Sequence, residues 1–154
     1  MIRKAKKSDI SRIAEILVFV KRITGTDDRA GRFINEAFTD YAIKSNVKLN
    51  FEEYCFAAEN DEGEIIGVIT GRAYYNEVHI GDLIIDEKYR RLRLGSELVK
   101  KVEEEYSGKG YEKITLTTFG FQAPEFYKKL GYSLEFVRED KDPKLSKYFY
   151  SKAI

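Results

Sequence analysis

The chain has no tryptophan, one cysteine and one histidine among its 154 residues. The single cysteine, Cys55, excludes an internal disulfide framework, and with His79 as the lone histidine the residue types for a Cys/His zinc site are too few. An excess of one charge is also missing. Lys and Arg number 27 against 26 Asp and Glu, a formal net charge of +1, which argues against a nucleic-acid binder working through bulk electrostatics. No run approaches the roughly 18 apolar residues of a membrane span, and the opening MIRKAKKSD lacks the apolar core of a secretory signal. The expectation is a soluble cytoplasmic protein with no nucleic-acid partner, no membrane partner and no metal. What is abundant is aromatic: 11 Tyr and 10 Phe supply flat, partly polar surfaces that suit a cleft without identifying its ligand. The length suggests one domain over 1–154, able to bury roughly two thirds of its unfolded surface.

Residues 83–96 are the most informative stretch. Leu83, Ile84 and Ile85 end an apolar strand, a short basic turn follows, and Gly95 and Ser96 open an amphipathic helix. Where a strand stops and a helix starts, the first-turn amides have no intrahelical acceptor. An anion there gains several N–H donors and the positive end of the helix dipole. The layout is that of a pyrophosphate cradle flanked by Arg90, Arg91 and Arg93; a solvated basic turn is the plainer alternative. Nucleotide loops of this kind usually hold glycine where Arg93 stands. An arginine is free of backbone cost there if residue 93 takes right-handed helical φ/ψ, and is opposed only by a requirement for positive φ.

Elsewhere, residues 2–6 read as a strand, and Ser8 and Asp9 as the cap of a helix over 10–23 whose Ile13, Ile16, Leu17 and Val20 share a face. A turn over 24–28 precedes a second helix patterned by Phe33, Ala37, Phe38, Tyr41 and Ala42. Strands over 54–59 and 65–74 flank a turn at 60–63 as a hairpin, and a strand over 78–85 completes a meander. After the basic turn, Leu94, Leu98, Val99 and Val102 mark the buried stripe of a helix ending near 107–108. Then come a strand over 111–117, a short helix over 122–130 closed by Gly131, and strands over 132–138 and 147–150. A meander followed by β-α-β-α-β implies an α+β fold: a single mixed, mostly antiparallel β-sheet flanked by helices.

This order, completed by Ala123-Pro124-Glu125-Phe126-Tyr127-Lys128-Lys129-Leu130-Gly131-Tyr132, resembles the GNAT superfamily of N-acetyltransferases over nearly the whole chain. Two motifs carry the resemblance. Arg or Gln followed by x-x-Gly-x-Gly/Ala is met by Arg90 and Gly95, with Arg93 replacing the first glycine; Phe126-Tyr127-x-x-Leu130-Gly131-Tyr132 is the second. The resemblance implies an acyltransferase that moves the acetyl group of acetyl-CoA directly to a primary amine of a small molecule or peptide. It implies that the backbone of Leu83, Ile84 and Ile85 pairs with the pantetheine amides like an added strand. The amides of Arg91, Leu92, Arg93, Leu94, Gly95 and Ser96 would hold the pyrophosphate, and Gln122, Phe126 and Tyr127 would border the cofactor. Counting back from Tyr127, the asparagine that relatives set against pantetheine falls on Gly120 rather than Gln122. A non-catalytic CoA-binding or regulatory module on the same scaffold is the alternative.

An alkylammonium near pKa 10 is not a nucleophile, so transfer from a thioester needs a neutral amine, an oxyanion donor and an acid for the leaving thiolate. Tyr127 stands where many members of the family keep a tyrosine that protonates the sulfur; its helical spacing with Ala123, Phe126 and Leu130 equally fits a core residue. His79 aligns with the strand position where some members carry a base, and a structural histidine is the other reading. Asp82 is its rival, better suited to holding an ammonium than to deprotonating it. The resemblance places oxyanion stabilisation at a main-chain N–H near Ile84, where the family strand bulges. Phe119 and Phe121 wall the cofactor or pack, and Cys55 is expected as a small core residue. Asp27, Asp28, Glu36, Asp40, Glu52 and Glu53 either draw in a cationic amine or form a solvated acidic face. The aromatic last strand, Tyr148-Phe149-Tyr150, either pairs internally or forms the edge of a homodimer.

Overall fold

Residues alternating between apolar and polar at period two form the long strands of the computed structural model, which describes residues 2–4, 17–25 and 27–154. The chain divides into two units, Met1–Ser45 and Asn46–Ile154. In the first, β1 (Ile2–Lys4) pairs antiparallel with β2 (Leu17–Phe19), Ile2 opposite Phe19 and Lys4 opposite Leu17. This corrects the helix expected over 10–23 at its C-terminal half; residues 10–16 and the expected cap at Ser8 and Asp9 lie outside the described residues. The run Leu17-Val18-Phe19-Val20 is short, apolar and β-branched, a pattern that periodicity cannot assign between helix and strand, and pairing with β1 decides it. The second expected helix is α1 (Arg29–Lys44), with Ala42 buried and Phe33, Phe38 and Tyr41 exposed.

The second unit is a six-stranded sheet in the order β3 (Glu52–Glu59), β4 (Ile65–Tyr74), β5 (Glu77–Ile85), β6 (Lys113–Phe119), β8 (Lys147–Ala153), β7 (Ser133–Arg138). β3, β4 and β5 form the expected antiparallel meander, β5 runs parallel to β6, and β8 pairs antiparallel with both β6 and β7. Along β5, Val78 and Ile80 are buried while Glu77 and His79 face the other side; along β6, Ile114, Leu116 and Thr118 are buried. The buried face packs against α2 (Leu94–Tyr106), whose Leu98, Val99, Val102 and Tyr106 fall on one stripe at helical spacing. Burying these side chains together contributes on the order of 2 kcal/mol apiece, which is what holds α2 to the meander.

Several boundaries differ from the expected ones. The strand expected at 111–117 starts at Lys113, because Gly108 and Gly110 turn the chain with positive φ and Tyr111 packs edge-on against Tyr106. The helix expected over 122–130 shortens to α3 (Pro124–Lys129), since Pro124 fits the first helical position and Gly131 (φ +88°) ends it. The last strand runs three residues further than expected, to Ala153, and lies between β6 and β7. A strand paired on both sides offers no free edge, so β8 is not a dimer edge; β3 and β7 are the outer strands of this sheet. Among the described residues no helix is long and apolar enough to cross a membrane.

Candidate active site

The parallel pairing of β5 with β6 stops at Ile80 opposite Leu116, although β5 runs on to Ile85 and β6 to Phe119. β5 stays bonded to β4 through Leu83, Ile84 and Ile85, and β6 to β8 through Phe119. The two strands therefore part, and among the described residues the β5 edge over 81–85 has no strand partner on its β6 side. The cause lies in register: between Ile69–Leu83 and Gly71–Ile80, Thr70 alone on β4 faces Gly81 and Asp82 on β5. Two residues opposite one is a β-bulge, which bends its strand. The opening expected near Ile84 thus begins at Gly81 and Asp82.

Beyond β5, Asp86 closes a short 3₁₀ turn by accepting from the amide of Lys88 at 2.9 Å. Arg90 folds back so that its Nε donates to the Ile85 carbonyl at 3.3 Å, tying the turn to the strand end. Arg91 (φ +72°) and Arg93 (φ +63°) then both take the left-handed conformation, and Leu94 begins α2. The backbone carbonyl of Arg93 accepts from Glu97 at 3.0 Å, but among the described residues no protein group accepts from the amides of residues 91–96. A left-handed residue followed by a right-handed one turns successive N–H groups inward as an anion-binding nest, and the helix dipole adds to it. Arg93 therefore does not adopt the right-handed geometry that would have made it free of strain. A glycine would satisfy that φ without its Cβ penalty; the arginine holds it under strain.

Gly95 marks a close approach. A Cβ at residue 95 would meet the Phe126 ring at 3.3 Å and Ile85 at 3.9 Å, so the absence of a side chain lets the start of α2 sit against α3. Next to Phe126, Tyr127 is buried, its ring edge-on to Phe126 at 5.0 Å and to Tyr132 at 5.9 Å. Burial pushes its phenol up to about 12, so the hydroxyl carries its proton at any physiological pH. Gln122 braces the turn after β6. Its Oε1 accepts from the Phe119 amide at 2.9 Å and from Thr118 Oγ1 at 3.2 Å, closing the turn after β6. Gly120 is required, because a Cβ there would collide with the Pro143 carbonyl oxygen. Phe119 and Phe121 stack on each other at 5.9 Å.

On the sheet face turned away from α2, His79 lies half-buried on the border of two depressions. The larger, about 550 Å³, is lined by Glu53, Cys55, Thr70, Arg72, His79 and Asp82 among others. Asp82 is exposed, its Oδ2 accepting from Thr70 Oγ1 at 3.3 Å while its amide donates back to the same oxygen at 3.3 Å, so Thr70 pins the bulge. The smaller, about 280 Å³, is bordered by Glu77, Lys113, Thr115, Glu135 and Phe149. His79 Nδ1 lies 2.9 Å from Thr115 Oγ1. Burial first, and the nearby Arg72 and Lys147 cations after it, hold the imidazole below its ordinary pKa, opposed by the Glu77 carboxylate. The ring is neutral at neutral pH. Cys55 is not a core residue: Tyr54 takes the buried side of β3, and alternation sends the thiol to this exposed face.

The acidic residues have different partners. Asp27 and Asp28 are paired with Arg29 and Arg32 at the start of α1, Glu52 accepts from the Tyr106 hydroxyl at 3.0 Å, and Glu53 borders the larger depression. Thr70, Arg72, Glu77 and Thr115 escape sequence reasoning, since only strand register sets them beside His79 and Asp82. The motif residues need no such help: Gly95 at the start of α2 approaches Phe126 and Ile85, and Tyr127 packs beside Phe126.

A family model described as "Acetyltransferase (GNAT) family" matches residues 19–132. A blasticidin-S acetyltransferase of Streptomyces morookaense is 30% identical over 107 residues, covering 67% of this chain and 76% of that protein. A crystal structure of an acetyltransferase from Bacillus cereus ATCC 14579 superposes with a TM-score of 0.73 at 36% identity, covering 87% of this chain and 98% of that one. An aminoglycoside 6′-N-acetyltransferase solved with coenzyme A shares the fold, with a TM-score of 0.56 at 22% identity over 66% of this chain and 73% of its own.

Proposed function

This chain belongs to the GNAT family of acetyltransferases, and we propose that it acts as one N-acetyltransferase domain over 1–154, moving the acetyl group of acetyl-CoA directly to a primary amine. The observation that carries this reading is the run of six unpaired amides at 91–96 immediately after a strand edge with no partner among the described residues. A pyrophosphate needs several converging N–H donors, and a pantetheine arm needs a peptide-like edge; the chain supplies both in the order in which the two parts of CoA are joined. Acetyl-CoA when bound supplies an activated thioester carbonyl and a thiolate leaving group. The freed main chain of Leu83, Ile84 and Ile85 aligns the arm, and its N–H groups oppose the charge that develops on the carbonyl oxygen.

His79 accepts the proton of the attacking amine, directly or through water, because its neutral form prevails at neutral pH. Tyr127 gives its proton to the departing sulfur, and its raised pKa keeps that proton available. Asp82 and Glu53 line the acceptor depression with negative charge, which favours an amine that arrives as a cation. The likeness to a blasticidin-S acetyltransferase supports a small-molecule acceptor over a peptide.

Thiol release from acetyl-CoA, followed against a panel of polyamines, aminoglycosides, blasticidin S and peptide N-termini, tests the reading. Amine-dependent release with a mass gain of one acetyl group on a small amine is the expected outcome. Tight acetyl-CoA binding with no release on any amine overturns transfer and leaves a CoA-binding module.

A further inference from the structure

His79 is held from behind by a chain of hydrogen bonds that lies outside both sequence motifs. Its Nδ1 lies 2.9 Å from Thr115 Oγ1, across the register pair that joins β5 to β6. The Thr115 hydroxyl is 3.2 Å from Glu77 Oε1, and the same carboxylate oxygen accepts from the Tyr74 hydroxyl at 2.8 Å. Lys113 lies 3.8 Å from the other oxygen, Oε2.

A threonine hydroxyl has one proton to give, and an ionised carboxylate can only accept. If that proton went to His79 Nδ1, Thr115 Oγ1 and Glu77 Oε1 would face each other with no hydrogen between them. The arrangement that satisfies every group has Thr115 donating to Glu77 and accepting from His79. We infer that Glu77, acting through Thr115, fixes His79 as the Nδ1–H tautomer, which leaves the lone pair on Nε2 as the basic nitrogen of the acceptor site. This rests on the reading of His79 as the base. Thr115 and Glu77 are positioning residues: neither touches the amine. On transfer, Nε2 gains the amine proton and Nδ1 keeps its own, so the imidazolium is met by the Glu77 carboxylate one hydroxyl away. The logic is that of a carboxylate orienting a catalytic histidine, with a threonine interposed.

The charge around the ring is mixed. Glu53 and Arg72 face the larger depression from β3 and β4 with Asp82 from β5, while Lys113, Glu135 and Lys147 come from β6, β7 and β8. Burial and then Arg72 lower the imidazole pKa, and Glu77 opposes them, so its carboxylate contributes to the pH at which the base is lost.

Because the chain has one histidine, its imidazole ¹⁵N spectrum comes from a single ring and can be read in the intact protein without a variant. Above the pKa, a protonated, pyrrole-type Nδ1 with a pyridine-type Nε2 is expected; a protonated Nε2 overturns the inference. Thr115→Val should mix the tautomers and lower kcat by at least about tenfold with KM for acetyl-CoA unchanged, and Thr115→Ser should restore both. Glu77→Gln, whose amide can donate as well as accept, should loosen the tautomer preference and move the acidic limb of the rate profile to lower pH. Unchanged tautomer and rate in Thr115→Val also overturn the inference. Full turnover in His79→Gln removes His79 from the proposed mechanism, whichever tautomer the spectrum shows.

Discussion

Arg93→Gly should make the protein more stable, which is unusual for a substitution that deletes a side chain. Arg93 holds φ +63° and ψ 12°, and its carbonyl receives the first α2 hydrogen bond from Glu97, so the helix start locks it there. A left-handed conformation costs an L-residue about 1–2 kcal/mol, whereas glycine adopts it freely but loses about 0.5–1 kcal/mol more chain entropy on folding. The difference favours glycine by about 0.5–1 kcal/mol, and with a urea m-value of about 2 kcal/mol/M the midpoint should rise by roughly 0.3–0.5 M. Arg93→Ala keeps the Cβ that causes the strain and should gain nothing, so the pair separates backbone relief from loss of charge. Acetyl-CoA affinity measured on the same proteins should fall by no more than about fivefold, the scale of one exposed ion pair, because the amides of 91–96 remain in place. An unchanged or lowered urea midpoint in Arg93→Gly, or equal gains in the glycine and alanine variants, would refute the argument.

Other outcomes follow from the same geometry. Tyr127→Phe should lower kcat by about 10²-fold or more with little change in KM for acetyl-CoA; unchanged turnover across pH would make the tyrosine a core residue only. Transfer rate should fall on an acidic limb below His79's ordinary pKa of about 6.5. Stability should weaken in the same direction: burial and nearby cations lower the folded-state pKa, so as pH drops beneath about 6.5 the unfolded chain takes up the proton first, and the contribution is lost as pH falls through the folded value. Urea melts from pH 8 to 5 on the wild type and His79→Gln measure this, and the variant should show the smaller fall. Gly120→Ala should lower stability by about 1–3 kcal/mol, since the added Cβ meets backbone at Pro143 rather than a movable side chain; a neutral effect in a urea melt would show that the turn after β6 can shift.

Local chemistry accounts for what is legible in the chain. The strand, basic turn and helix over 83–96 depend on neighbours in sequence, as does the alternation of β4 and β5, and both appear where they are expected. The run at 17–20 reads wrongly as helix because a short apolar segment has no periodicity of its own, and β1 pairing supplies the answer. Cys55 differs from expectation by phase: which side of β3 is buried follows from Tyr54 packing against Tyr106 of α2, whose hydroxyl also bonds Glu52.

The sequence by itself determined the family, the sheet with its flanking helices, and the position of the unpaired amides, because each is written in contiguous residues or short motifs. Tertiary structure decided the rest. The conformation of Arg93 follows from how the turn must meet α2, and the bulge at Gly81 and Asp82 from a register that Thr70 holds on another strand. The chain from His79 through Thr115 to Glu77 spans 38 residues between its furthest partners, and only the parallel pairing of β5 with β6 brings them together. Hydrogen bonds act over about 3 Å, so the groups that tune the candidate base are fixed by strand register, which no local pattern records.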